Sequence, residues 1–264
     1  MTSDEKLEII KKRDYLVVKH NKLIQHSRYD LSVAEQRAVA YICSMIKPAD
    51  PQAGVFGTEY QLEYEFNIRD YARVCGLPFG GKLYRETKAV FKRLMMRIID
   101  VELDGDDLML AWLDEVRMRQ RNGNVKFRLN PGIAPFLFDL QNNFTAYGLL
   151  NILAMKSQYS IRIYEFLHSH AWKGELTIDI DIFKQMLMID EKKTYDQFPP
   201  IRRKVLDPAM EEINKYTDLE VRYEPITQGK RKVIKILFRI VQKNPLDRHM
   251  SWGKVYNDME GIAQ

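Results

Sequence analysis

Few residues in this chain stand at spacings that support chemistry. His168-Ser169-His170 is its one His-x-His pair. A rolling-circle endonuclease would use such a pair to hold a metal ion beside a tyrosine nucleophile. Here the central residue is serine, and the surrounding SIRIYEFLHSHAW has helical periodicity, which turns the two imidazoles about 200° apart. Gly80-Gly81-Lys82 lacks the rest of a phosphate loop, and no Gly-x-Ser-x-Gly elbow occurs. Cys43 and Cys75 are the only cysteines and lie in apolar helical patterns. Two cannot build a disulfide scaffold or a four-ligand zinc site, so both read as packing. The sequence predicts a binding protein and not an enzyme, with no metal and no cofactor.

What remains is charge. Lys and Arg number 41 against 36 Asp and Glu, a net +5 that is compatible with nucleic acid and too mild to establish it. The distribution says more. Lys82, Arg85, Lys88, Lys92, Arg93 and Arg97 stand against Glu86 alone, and Lys230, Arg231, Lys232, Lys235, Arg239 and Lys243 form a second run without an acid. Acids concentrate instead at Asp100, Glu102, Asp104, Asp106, Asp107, Asp114 and Glu115. Segregated basic runs suit phosphate contact, which gains by counterion release, and they equally suit solvated helix faces.

The elements that carry these runs follow from periodicity and caps. Residues 15–26 read as extended. Leu31–Ile46 reads as a helix opened by a Ser32/Glu35 capping box and stopped by Pro48 and Pro51. A strand over Tyr60–Phe66 leads into a short helix capped by Asn67 and ended by Gly76. A longer helix spans about Lys82–Arg97. Three apolar runs follow, Ile98–Leu103, Leu108–Met118 and Val125–Leu129, separated by turn sequences at 104–107 and 121–124. Asn130–Asn143, rich in Pro, Gly and Asn, reads as a junction.

The second half repeats that order: a helix at Ser157–Ala171, a strand at Glu175–Ile178, helices at Asp181–Met188 and Phe198–Tyr216, then a hairpin of Leu219–Ile226 and Lys232–Val241. At a spacing of 112, Tyr64, Phe66, Ile68, Tyr71, Val74 and Leu77 meet Leu176, Ile178, Ile180, Phe183, Met186 and Ile189. After a six-residue insertion the spacing becomes 118, where Leu83, Phe91, Met95, Val101 and Leu103 meet Ile201, Ala209, Ile213, Leu219 and Val221. The chain has 264 residues, 45% of them hydrophobic, enough for two domains. The expected fold is α+β, two tandem winged-helix domains related by an internal repeat, over residues 1–140 and 141–264.

Two helices, a turn and a hairpin make the winged form of the helix-turn-helix, whose second helix enters the major groove while the hairpin meets flanking backbone. At 100° per residue, Leu83, Thr87, Val90, Phe91 and Leu94 gather on one side of the first such helix, with Arg85, Lys88 and Lys92 near the other and Lys82 at its start. In the second, Ile201 and Val205 mark the core side, Arg203 lies opposite, Lys204 on its flank and Arg202 toward the boundary. Arg85 coincides with Arg203 in the repeat, and arginine is well shaped to read guanine O6 and N7 together. An exposed arginine can also lie along its own helix. Lys230, Arg231 and Lys232 sit at the second hairpin's tip, where a wing would meet phosphate and where solvated lysines are also common. Asp207-Pro208 predicts a kink or restart capped by Asp207.

VVKHNKLIQHSRYDLSVAEQRAVAYI resembles the opening signature of the initiator replication proteins of iteron-bearing, theta-replicating plasmids, with Asn21, Leu23, Leu31, Glu35, Gln36 and Arg37 at matching places. RRKVLDPAMEEIN is similar to that family's second recognition-helix region through Arg203, Val205, Leu206, Pro208, Ala209, Glu212, Ile213 and Asn214. The resemblance spans about residues 15–241. It implies a sequence-specific double-stranded DNA-binding initiator of plasmid replication that binds origin repeats (iterons) as a monomer and represses its own gene as a homodimer. It also implies recruitment of the host replication initiation protein and helicase. A rolling-circle endonuclease-type initiator and a plain transcriptional repressor are the alternatives. Tyr15–Leu23 and Ile133–Leu150 are open to a part in a dimer interface, which nothing in their residues compels. No apolar run reaches the ~18–20 residues of a membrane helix, and the first twelve residues carry acids, so a bacterial cytoplasmic location is expected.

Overall fold

A computed structural model describes residues 15–47, 60–103, 105–141, 143–229 and 232–263. The first twelve residues, Pro48, Pro51, Asp104, Asn142, Lys230 and Arg231, on which some of the sequence-based expectations rest, lie outside the described residues. The first half runs β1 (Leu16–His20), α1 (Asn21–Gln25), β2 (Ser27–Arg28), α2 (Val33–Met45), β3 (Glu63–Asn67), α3 (Ile68–Cys75), α4 (Leu83–Met96), β4 (Ile98–Leu103), β5 (Asp106–Ala111), β6 (Leu113–Arg119) and β7 (Asn124–Leu129). The second runs α5 (Pro135–Phe138), β8 (Phe144–Gly148), α6 (Leu150–Leu153), α7 (Gln158–Ser169), β9 (Glu175–Asp179), α8 (Ile180–Met186), α9 (Phe198–Ile201), a π turn over Arg202–Leu206, α10 (Asp207–Tyr216), β10 (Leu219–Gln228), β11 (Lys232–Gln242) and α11 (Pro245–Ala263).

Local chemistry sets the helix ends. The Glu35 carboxylate accepts from the Ser32 N–H at 2.8 Å while the Glu35 N–H donates back to the Ser32 hydroxyl, completing the capping box on α2. Asn67 caps α3 by accepting from the Arg69 N–H. Gly76 ends α3 at φ 63°, which glycine adopts without a Cβ penalty. One expectation fails nearby. Residues 15–26 are not extended throughout, because the His20 ring accepts from the Lys22 N–H and starts the helical turn α1.

Each half contains one three-stranded antiparallel sheet behind its helix pair, ordered β3-β7-β6 and β9-β11-β10. Their registers correspond. Tyr64 pairs with Phe127 and Phe66 with Val125, as Leu176 pairs with Phe238 and Ile178 with Ile236. The spacing of 112 is therefore reproduced in the pairing itself. The matches of Val101 with Leu219 and Leu103 with Val221 are not. β4 pairs with β5 and β2 in a separate sheet, so β6 takes the place of β10 and the hairpin β4–β5 is an insertion in the first domain. The apolar run Leu108–Met118 is likewise two strands belonging to two sheets, broken at buried Trp112.

A second correction lies in the long helix. Pro208 cannot donate to a carbonyl one turn back, and the helix accommodates this without restarting. The Asp207 N–H donates to the Arg202 carbonyl, five residues back, and Arg202, Leu206 and Asp207 all keep helical dihedrals. Asp207 caps nothing; its carboxylate accepts from the Tyr223 hydroxyl at 2.6 Å. The π turn inserts one residue, so beyond it the repeat spacing is 119, and Val90, Phe91 and Leu94 correspond to Ala209, Met210 and Ile213, all buried. Met95, which the spacing of 118 pairs with Ile213, is 37% exposed.

The two halves are tied together. Within the segment read as a junction, Ile133 and Leu137 are buried in the core, and β8 pairs with β1 across the expected 140/141 boundary. Val17, Leu23 and Tyr147, within the segments open to a dimer interface, are buried against their own chain. Behind this ribbon the Lys19 ammonium donates to Glu165 at 2.6 Å, both side chains buried, and the Tyr29 and Tyr147 hydroxyls donate to the same carboxylate. The Arg162 guanidinium lies 4.5 Å over the Tyr29 ring and donates to the Ser27 carbonyl at 2.6 Å. α11 adds a strap, with Met259 seated where a Cβ on Gly76 would fall. Among the described residues no helix is long and apolar enough to cross a membrane.

Candidate nucleic-acid interface

α4 buries Leu83, Thr87, Val90, Phe91 and Leu94 against the first core. That leaves Arg85, Lys88 and Lys92 exposed along its outer side, with exposed Lys82 at its N-cap. None of these four forms an ion pair with a described residue. Two other bases of the run are occupied. Arg93 and Arg97 reach back to fully buried Glu35 at 3.2 and 3.5 Å. Burial alone would raise the Glu35 pKa, yet the Ser32 hydroxyl and N–H, with Arg97 and Arg93, hold it below the ordinary carboxylate range.

That depression fixes a sign. Glu35 stabilises the fold above the ordinary carboxylate pKa, and this contribution is lost as pH falls through its lower folded value. Glu35→Gln is expected to cost about 1.5–3 kcal/mol near neutral pH, as hydrogen bonds to a charged group do. The gap between variant and parent should close as pH falls below the ordinary carboxylate range, which urea unfolding at several pH values measures.

In the second half Arg202, Arg203 and Lys204 occupy the π turn and all three are exposed, while Ile201, Val205 and Leu206 are buried beneath them. Arg202 lies 3.5 Å from Asp207, leaving Arg203 and Lys204 without an ion pair to a described residue. Burial and the bond to Asp207 raise the Tyr223 pKa, so its hydroxyl stays a donor and ties the wing strand β10 to α10. Lys232 is exposed at the start of β11, paired in register with Gln228. The remaining basic run is largely consumed within the fold: Lys235 faces Asp179 at 3.9 Å, Arg239 binds Glu175 and Glu224 at 3.2 and 2.9 Å, and Lys243 donates to the Asn214 and Thr217 carbonyls.

Because β6–β7 is the first domain's hairpin, its turn brings further bases that sequence reasoning did not select. Arg119 and Arg121 are exposed beside Asn122-Gly123, the turn signal that marks a wing tip once the hairpin is assigned to the right sheet. Lys192 and Lys193 are exposed in the six-residue insertion ahead of α9. The Asn67 amide donates to the Asn122 carbonyl at 3.0 Å and the Ile68 N–H to the Gly123 carbonyl at 2.9 Å, docking the wing turn on α3. Gly123, at φ 72°, permits that approach. An open groove of about 800 Å³ lies between this turn, the start of α3 and the start of α4.

The two histidines of the His-x-His pair serve the fold. His168 lies in α7 and faces Asp218 at 3.4 Å, and His170, at the helix's C-cap, bonds the Phe166 carbonyl. Among the described residues no three His, Cys, Asp or Glu side chains are grouped to hold a metal ion.

Comparison with known proteins matches this fold. The chain is 23% identical over 238 residues to an uncharacterized 27.6 kDa protein of Escherichia coli, covering 87% of this chain and 96% of the relative. It is 24% identical over 216 residues to a replication initiation protein of Escherichia coli, 79% of this chain and 65% of that protein, so it spans somewhat under two thirds of the relative. The fold resembles a crystal structure of the Pi initiator protein in complex with iteron DNA, with a TM-score of 0.67 and 21% identity over 88% of this chain and 99% of that one. Residues 16–168 match the family described as initiator replication protein, WH1, and residues 179–240 that described as initiator Rep protein, WH2. With both winged helices matched in order over most of its length, the chain belongs to the initiator replication protein family.

Proposed function

We propose that this protein is a sequence-specific double-stranded DNA-binding initiator of plasmid replication. It binds direct repeats in an origin, with α4 and the Arg202–Leu206 turn in successive major grooves and the two hairpins on flanking phosphates. The observation that carries this is the pair of outward basic helices, at equivalent places in a duplicated unit, with Arg85, Lys88, Lys92, Arg203 and Lys204 free of intramolecular ion pairs among the described residues. The Pi initiator's complex with iteron DNA, on the same fold, supports the reading. To DNA contact we further assign Lys82, Arg202 and Lys232, with Arg119 and Arg121, all exposed, and, from the sequence alone, Lys230 and Arg231. We draw the division between reading units after α7, since the first family match ends at residue 168.

No catalytic step is part of this role. The protein acts in the bacterial cytoplasm, represses its own gene as a dimer in equilibrium with monomer, and recruits the host initiation protein and helicase. The test is selection of duplexes from a random library, followed by footprinting on the DNA beside the protein's own gene. Direct repeats next to an AT-rich stretch are expected, bound equally well in EDTA. Nicking of supercoiled DNA in magnesium or manganese would replace this reading with an endonuclease, and an inverted repeat alone would replace it with a repressor.

A purely electrostatic grip on phosphate has its own signature. Lys88→Ala with Lys92→Ala is expected to weaken every duplex alike and to flatten the salt dependence by roughly 0.9 log unit for each phosphate no longer neutralised. Lys230→Ala with Lys232→Ala should behave the same way. Fluorescence anisotropy at several salt concentrations on cognate and random DNA checks both.

A further inference from the structure

Phe79 is 61% exposed in the turn between α3 and α4, three residues before the N-cap of α4. It stands at the rim of the groove formed with Asn67, Arg69, Tyr84, Gln120 and Arg121. No lining residue of that groove is acidic, whereas in the hollow on the same domain's sheet Glu63, Glu65 and Glu115 balance Arg117, Lys126 and Arg128. The groove's walls are fixed. Asn67 holds the wing turn through Asn122, and the Tyr84 hydroxyl donates to the Met118 carbonyl on β6. Beyond Phe79 the backbone opens out, since a Cβ on Gly80 or Gly81 would meet no atom within 4 Å. A large apolar ring is thus presented to water at the edge of a cationic, acid-free groove, beside the helix proposed to enter the major groove.

The partner of such a surface carries phosphates for Arg69 and Arg121 and a small apolar group for the ring. A duplex offers one such group in the major groove, the thymine C5 methyl, which phenylalanine can contact. We propose that Phe79 packs against the methyl of one thymine in the part of the repeat read by the first domain, making it a specificity-determining residue. This rests on the proposed DNA-binding function.

The experiment replaces each thymine of the selected repeat in turn by deoxyuridine, which removes the methyl and leaves base pairing intact. Binding is measured for the parent, Phe79→Ala and Phe79→Leu. At one thymine in the first domain's footprint the parent should lose about fourfold, the effect of burying one methyl-sized group. Phe79→Ala should bind the unmodified repeat several-fold more weakly and lose nothing more at that position, while Phe79→Leu retains part of the coupling. Phe79→Ala binding as the parent does, or an unchanged deoxyuridine penalty at every position in that variant, would overturn the proposal while leaving DNA binding intact. Failure of the parent to bind any duplex would overturn both. The ring is largely exposed, so unchanged melting temperatures should show that the variants are folded.

Discussion

Glu165→Leu is expected to destabilise the protein by about 3–5 kcal/mol, the range for removing one partner of a buried ion pair. The Lys19 ammonium would remain in the interior with its closest acceptor gone, and the Tyr29 and Tyr147 hydroxyls would lose theirs. Burial pushes the lysine pKa down, yet Glu165, with smaller contributions from Tyr29 and Cys43, more than compensates and holds it above the ordinary value; without the carboxylate the largest counterweight to burial is gone. At 2–4 °C per kcal/mol for a chain of this size, the melting temperature should fall by roughly 10 °C. Lys19→Met with Glu165→Leu should recover part of the loss, because the double variant no longer leaves the Lys19 ammonium in the interior, although buried Arg162 still loses the nearby carboxylate. Thermal unfolding of both variants measures this, and a double variant no more stable than Glu165→Leu would show that the pair is not coupled.

How much of this was legible in the sequence differs between elements. Caps and short-range periodicity act locally, so Ser32/Glu35, Asn67 and Gly76 marked their helix ends correctly. The repeat held at a spacing of 112 because Tyr64, Phe66, Leu176 and Ile178 face equivalent cores and pair with equivalent strands. It failed where backbone and sheet assignment intervene. A π turn adds one residue without changing the apolar pattern enough to announce itself, and β4–β5 has the alternation of a wing while pairing elsewhere. Charge counting had the same limit. Arg93, Arg97, Lys235 and Arg239 look as available in the sequence as Arg85 and Lys88, but their acids come from Glu35, Asp179, Glu175 and Glu224, distant in the chain or across a hairpin. The composition of 130–143 marked a junction but gave no sign that Ile133 and Leu137 within it are buried, since that burial is tertiary.

Arg203→Ala is expected to cost about 1–3 kcal/mol on the cognate repeat and to relax discrimination at one guanine, because alanine cannot donate the paired hydrogen bonds to O6 and N7. The π turn sharpens this expectation. Arg202, Arg203 and Lys204 are all exposed, but Arg202 has Asp207 at 3.5 Å and would have to leave it to reach a base, so Arg202→Ala should cost less and relax nothing. Lys204→Ala should behave as the removal of a phosphate partner, weakening all duplexes alike. On α4, Arg85 stands at the position equivalent to Arg203 ahead of the inserted residue, and Arg85→Ala should relax specificity at a second guanine in the other part of the repeat. Binding of each variant to the repeat, to its single-base variants and to random duplex separates these outcomes. A substituted guanine that no longer weakens Arg203→Ala, while still weakening Arg202→Ala and the parent, would identify the base it reads. Equal losses for Arg203→Ala on cognate and random DNA would instead assign Arg203 to the backbone and leave the reading of this half to another side chain of the turn.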